Sequence, residues 1–226
     1  MGLRAVIFDL DGVITDTSRF HYLCWKKLAD EYHVHFDEKF NERFKGVSRR
    51  DCAQLLFPDI QDDTQLDALA EQKNRYYVDM IQQITPSDLF EGTRKLLREL
   101  RDQGIKTAIG SASQNTALVM EKLEIADSFD AVADGTQVMH SKPAPDVFEL
   151  CARKLNMACS ECAVVEDAQA GIQAALAAGM TTVGIGSREL LPEADWRVDS
   201  VRDLVDLLNH LVLENKRLRL LHPCSE

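Results

Sequence analysis

After Gly104 the chain alternates short apolar runs with segments of helical spacing, and this alternation limits the possible folds of its 226 residues more than any other feature. Ile105 to Gly110 reads as a strand, 115–123 as a helix, Ala131–Ala133 as a short strand, 145–155 as a helix and Ala163 to Val165 as a strand. A helix over 168–178, a strand from Thr181 to Ile185 and a last helix from about Val201 to Asn215 complete the series. Strands separated by helices call for a parallel sheet covered on both faces, a doubly wound α/β fold. The apolar run over 4–9 belongs to the same sheet and leads straight into Asp9-Leu10-Asp11-Gly12. In such a sheet ligands lie beyond the carboxyl ends of the strands, which is where Asp9 and Asp11 stand. Side chains alternate along an extended chain, so both carboxylates can face one pocket. Like charges that close repel unless a cation neutralises them or one is protonated, so the pair predicts a metal, a shifted proton, or both.

The segment from 18 to 84 has a different pattern. Apolar residues such as Tyr22, Trp25, Leu28 and Ala29 recur at spacings of three and four, and no convincing strand interrupts them. It closes at Thr85-Pro86-Ser87-Asp88, before a helix around Gly92 to Arg101. The expected organisation is therefore an α/β core over 1–17 and 85–226 with a helical insert over 18–84. The tail from Leu218 is expected to fray.

Composition narrows the partners. Lys and Arg total 26 against 37 Asp and Glu, a formal charge of −11, which disfavours nucleic acid and anionic membranes. No apolar run approaches the ~18–20 residues that span a bilayer, and no secretory leader is evident, so a cytoplasmic protein is expected. The six cysteines are scattered and read as reduced thiols; Cys159-Ser160-Glu161-Cys162 has the spacing of a metal or redox pair but reads better as a turn between helix and strand.

Three later segments sit at strand ends. Gly110-Ser111-Ala112-Ser113-Gln114-Asn115 offers hydroxyls and backbone N–H groups at the start of a helix, Ser141-Lys142-Pro143 places a cation before a proline, and Glu166-Asp167 follows Ala163-Val164-Val165. Each alone has an ordinary reading, as a helix cap, a solvated lysine and an acidic helix start. Together with the Asp-Leu-Asp-Gly run they resemble, in order and context, the motif set of the haloacid dehalogenase superfamily of phosphotransferases. The resemblance implies Asp9 as the nucleophile that becomes an aspartyl phosphate and Asp11 as the general acid and base. It also implies Ser111 and Lys142 as holders of the phosphoryl oxygens, and a Mg²⁺ site of Asp9, the Asp11 carbonyl, Glu166 and Asp167. A hard-oxygen set of this kind suits Mg²⁺, which shields the anionic group that a carboxylate must approach.

The insert narrows the resemblance further. Thr15-Asp16-Thr17, His21, Trp25, Lys45-Gly46-Val47-Ser48-Arg49 and Lys73-Asn74 are similar to the β-phosphoglucomutase family, whose helical insert is a cap that closes over the core. Such a mutase must bind a second phosphate, not being transferred, and exclude water while the sugar intermediate reorients. The resemblance implies that Arg49 holds that phosphate with Ser113 and Asn115 on the core side and with Lys45 and Lys73 adding charge. Gly46, Val47 and Ser48 would let the backbone approach the sugar, His21 would hydrogen-bond Asp11, and Thr17 would stand at the hinge. The implied reaction interconverts β-D-glucose 1-phosphate and D-glucose 6-phosphate through β-D-glucose 1,6-bisphosphate, in a monomer. A sugar-phosphate phosphatase of the same superfamily is the alternative, because the core residues are common to both. Three departures stand out: Phe44 and Cys52 replace the family's usual Leu and Ser, and Gln114 replaces a usual Lys, which would weaken phosphate binding.

Overall fold

In a computed structural model, which describes residues 2–208 and 210–211, six parallel strands form one sheet. They are β1 (Ala5–Phe8), β2 (Lys106–Gly110), β3 (Ala131–Ala133), β4 (Cys162–Glu166), β5 (Thr181–Ile185) and β6 (Trp196–Val198), in the order β3-β2-β1-β4-β5-β6. The sequence pattern anticipates all but β6, a three-residue edge strand whose half-exposed Trp-Arg-Val carries no apolar run. The expected last helix is present over 201–208 and at 210–211; residues 212–215 and the tail from Leu218 lie outside the described residues.

β1 is the central strand and is fully buried on both faces. Its alternate residues serve two cores. Val6 and Phe8 pack with Leu96, Leu97 and Leu100 of α5 (Thr93–Asp102), with Val119 and Met120 of α6 (Thr116–Lys122) and with the helix over 201–208, while Ala5 and Ile7 pack with Phe148 and Cys151 of α7 (Asp146–Leu155). Helices on both faces follow directly from a central strand that has no polar side. Ile7 pairs with Ala108 and Val164, and Phe8 with Ile109 and Val165, so Asp9, Gly110-Ser111 and Glu166-Asp167 emerge side by side at the carboxyl end of the sheet.

The insert consists of α1 (Thr17–Glu31), α2 (Glu38–Asn41), α3 (Arg49–Leu56) and α4 (Asp63–Ile81). Asp37, Ser48 and Asp62 start the last three by accepting backbone N–H bonds at 2.7, 3.1 and 2.9 Å. These helices have their own core of Trp25, Leu28, Phe36, Phe44, Leu56 and Leu66. The two chain crossings between insert and sheet are tied together, Thr15 donating to the Asp88 carbonyl at 2.8 Å. Among the described residues no helix is long and apolar enough to cross a membrane.

Gly171, in α8 (Gln169–Ala177), shows how closely the sheet end is packed. A Cβ there would lie 1.9 Å from Glu166 Oε1. Gly104 has a φ of +73° but open space around it. Gly171→Ala is expected to cost roughly 3 kcal/mol or more, a fall in Tm of roughly 6–12 °C, against about 1 kcal/mol of strain for Gly104→Ala. Equal thermal shifts for the two variants in calorimetry would contradict the packing role of Gly171.

Candidate active site

At the sheet end the Lys142 ammonium is fully buried and donates to Asp9 Oδ1 at 2.7 Å, Glu166 Oε1 at 2.5 Å and the Gly110 carbonyl at 3.0 Å. All three of its protons are therefore used. Burial alone would push its pKa down, but Asp9 and Glu166 outweigh burial and hold it above the usual lysine value. Glu166 is fully buried too, and its Oε2 accepts the N–H groups of Asp167 and Ala168, each at 3.0 Å. Burial, with some repulsion from Asp9, raises its pKa to about 7 despite Lys142.

Asp9, Glu166 and Asp167 each bring a carboxylate oxygen within 4.8 Å of the others. Asp167 has its pKa raised well above the ordinary range, by burial and then by Glu166, only partly offset by Lys45. Three convergent carboxylates, Asp9 and Glu166 buried and Asp167 partly so, with incomplete cationic compensation are a hard-oxygen set that fits a divalent ion such as Mg²⁺. Gly12 is needed beside them: its φ is +88°, and a Cβ would meet Asp167 Oδ2 at 2.4 Å.

Asp11 lies next to Asp9, its N–H donating to Asp9 Oδ2 at 3.1 Å. Asp11 Oδ1 accepts from the hydroxyl of Thr17, and from Tyr77 at 3.4 Å. Burial first and Asp9 second raise its pKa to about 6, against the Thr17 bond. The expected His21 hydrogen bond to Asp11 is not formed. His21 Nε2 is 3.8 Å from Asp11 Oδ1 and is buried without a partner, so Thr17 holds the carboxylate instead. His21 stacks on Tyr77 with ring centroids 4.0 Å apart, and its Nδ1 is 2.6 Å from Lys73 Nζ. An ammonium can only donate, so Nδ1 accepts and the proton of the neutral ring sits on Nε2, facing Asp11. Burial, with Lys73 and Arg49 adding repulsion, holds the His21 pKa well below its usual value.

Between sheet and cap lies a cavity of about 650 Å³. All the residues expected from the sequence line it except Ser111 and Glu166, which are fully buried; the Ser111 hydroxyl accepts the Ser113 N–H at 3.0 Å rather than facing the cavity. Trp25, packed edge-on against Phe44, walls the cap side. Gly46, Val47 and Ser48 border the cavity where the backbone turns at Gly46 with φ +73°. The two lysines expected beside Arg49 touch other groups. Lys45 pairs with Glu42 at 3.1 Å and approaches Asp167 at 3.7 Å, while Lys73 is buried against His21. Among the described residues, cap and core are joined by hydrogen bonds from Arg49 to Gln114 at 2.7 Å, Asn115 to Asn74 at 2.9 Å and Ser141 to Asp51 at 2.9 Å, beside that from Tyr77 to Asp11.

Tyr77 and Asp51 were not legible as site residues. Tyr77 follows Lys73 by four positions and so shares its face of α4, which was the available signal. Asp51 also accepts from the Ser48 hydroxyl at 2.6 Å, and Ser-x-x-Asp at a helix start reads as ordinary capping.

Residues 6–185 match the haloacid dehalogenase-like hydrolase family. β-Phosphoglucomutase of Bacillus subtilis is 39% identical over 222 residues, covering 96% of this chain and 98% of its own length. Fructose-1-phosphate phosphatase of Escherichia coli is 34% identical over 181 residues, covering 80% of this chain and 95% of its own. A crystal structure of β-phosphoglucomutase from Clostridium difficile superposes with a TM-score of 0.88 at 38% identity, covering 94% of this chain and 98% of that one.

Burial lowers the Lys73 pKa from 10.5 to about 8, with Arg49 adding repulsion and nearby thiols and Asp11 opposing it. Between about pH 8 and 10.5 the folded protein thus binds fewer protons at this site than the unfolded chain, and stability at this group rises with pH. Wild type should gain stability relative to Lys73→Met as pH rises through that window, measured by urea unfolding at several pH values. A constant gap between the two would contradict it.

Proposed function

Since the chain belongs to the haloacid dehalogenase-like hydrolases, and among them to the β-phosphoglucomutase family, we propose that it interconverts β-D-glucose 1-phosphate and D-glucose 6-phosphate. The intermediate is β-D-glucose 1,6-bisphosphate, and the enzyme carries the transferable group on Asp9. The observation that carries this reading is one cavity between cap and core, with transfer groups on the core side and the Arg49 guanidinium on the cap side. A simple phosphatase needs the first alone.

In the forward direction the sugar 6-hydroxyl attacks the phosphorus of phospho-Asp9. A new P–O bond forms to O6, the bond to the Asp9 oxygen breaks, and Asp11 takes the hydroxyl proton. The bisphosphate then reorients so that its 1-phosphoryl group faces Asp9. Asp9 attacks that phosphorus, the bond to O1 breaks, and Asp11 returns its proton to O1, releasing D-glucose 6-phosphate. A carboxyl group whose pKa stands near 6 suits both tasks. Lys142 holds Asp9 in line and offsets its charge, and releases a proton contact to the phosphoryl oxygens on transfer. Ser111 supports the Ser113 N–H from behind the cavity wall. When bound at Asp9, the Asp11 carbonyl and Asp167, with Glu166 behind them, Mg²⁺ supplies the positive charge that lets a carboxylate approach a phosphoryl group.

Arg49, Asn115 and Ser113 hold the phosphate that is not transferred, and His21, with its Nε2 proton directed at Asp11, positions that carboxylate once substrate is bound. The free cysteines among the described residues support a cytoplasmic setting.

With Mg²⁺ and a trace of bisphosphate, fast formation of glucose 6-phosphate from the β anomer of glucose 1-phosphate, and not from the α anomer, is the expected outcome. Inorganic phosphate as the main product would sink the mutase reading in favour of the phosphatase. Asp9→Asn is expected to abolish turnover. His21→Ala and Arg49→Ala should lower mutase turnover by about 10²-fold or more, typical of lost acid–base positioning, while slow release of phosphate from phospho-Asp9 changes little. Equal loss of both activities would contradict the division between cap and core.

A further inference from the structure

Arg49 is the only guanidinium placed at the distal phosphate subsite proposed above, and it is not free. Its Nη2 donates to Gln114 Oε1 at 2.7 Å, and the same nitrogen lies 3.7 Å from Glu71 Oε2. Both oxygens belong to residues that line the cavity. Glu71 is held in place from its other side, where Asn74 donates to its Oε1 at 3.4 Å. The protein thus presents to Arg49 one neutral and one anionic oxygen, the kind of acceptor that a phosphoryl group would bring. Charge bookkeeping supports the same view: Arg49 and Glu71 cancel, and Gln114, Asn74 and Asn115 add none. The nearest lysines are committed elsewhere, Lys45 to Glu42 and Asp167 and Lys73 to His21.

We propose that Glu71 and Gln114 act as an internal counter-ligand for Arg49, so that phosphate enters the distal subsite only by displacing them. Glu71 and Gln114 are then specificity-determining residues. They lower affinity for every distal phosphate by the strength of their own hold on Arg49, and they close the cap in the absence of substrate. A dianionic phosphoryl group displaces them because it offers more charge and more acceptor oxygens than a carboxylate 3.7 Å away and an amide. A neutral sugar does not. The inference rests on the assignment of Arg49 to the distal phosphate.

The neighbouring Asp67 provides an internal control. It lines the same cavity, but its carboxylate pairs with Arg50 at 2.9 Å and not with Arg49. D-Glucose 6-phosphate binding would be measured by titration calorimetry in Mg²⁺ buffer for the full chain and its variants. Glu71→Gln and Gln114→Met should each tighten binding by about two- to fivefold, the range for a partly exposed ion pair or a single hydrogen bond. In an Arg49→Ala background neither substitution should change the Kd, and Asp67→Asn should have less effect than Glu71→Gln. Unchanged or weaker binding in Glu71→Gln or Gln114→Met, or an equal gain in Asp67→Asn, would overturn the proposal while leaving the distal subsite intact. Wild-type affinity in Arg49→Ala itself would overturn the subsite assignment, and the counter-ligand with it.

Discussion

The structure depends on one buried ammonium. Lys142 meets Asp9, Glu166 and a backbone carbonyl at the end of three adjacent strands, and without it two buried carboxylates would lose their cationic partner. Breaking a buried pair of this kind costs about 3–5 kcal/mol, because the remaining charge has no solvent to turn to. Much of the surrounding sequence follows from that. Gly171 is required because Glu166 lies against α8, and Gly12 because Asp167 approaches the turn after β1. Burial, and after it repulsion between neighbouring carboxylates, raises the pKa values of Asp11, Glu166 and Asp167. A site built this way is poised to accept a cation and an anionic phosphoryl group together.

Specificity lies on the other wall. In the reaction proposed above the core residues supply a phosphoryl carrier and a proton carrier, which serve a sugar hydroxyl and water alike. The cap brings Arg49, His21 and Lys73 over the same cavity and meets the core there through polar side chains, while Cys24, Tyr77 and Ile81 join the hydrophobic cluster of the sheet. Hydrogen bonds of that type exchange readily for bonds to a ligand or to water, so binding in the cavity can be coupled to the polar contacts between cap and core. The aromatic cluster of Trp25, Phe36 and Phe44 meanwhile keeps the cap rigid from within.

The fold was legible because its signals are local. The short apolar runs and the helical spacings fix the parallel sheet, and the acidic pairs at strand ends fix where chemistry happens. β6 escaped because its Trp-Arg-Val forms no apolar run and none of the three is buried, whereas β3, the other three-residue edge strand, reads as Ala-Val-Ala. The misplaced side chains share a different cause. His21 was expected on Asp11, and Lys45 and Lys73 beside Arg49, since charge and proximity along the chain suggest such pairs. The structure instead resolves a competition: Thr17 reaches Asp11 first, Lys73 is buried against the imidazole, and Lys45 turns to Asp167. Which of several possible partners a charged side chain takes is decided by packing between elements distant in sequence. Gln114 illustrates the same point, since its replacement of a common Lys was visible, but its contact with Arg49 was not.

The central claim is that the phosphoryl group on Asp9 passes to sugar because the cap excludes water. The direct measurement is a single turnover. Protein carrying isotopically labelled phosphate on Asp9 would be mixed with unlabelled β-D-glucose 1-phosphate and the products separated. The account predicts label in the bisphosphate and then in glucose 6-phosphate, with little in inorganic phosphate. Label appearing chiefly in inorganic phosphate would contradict it.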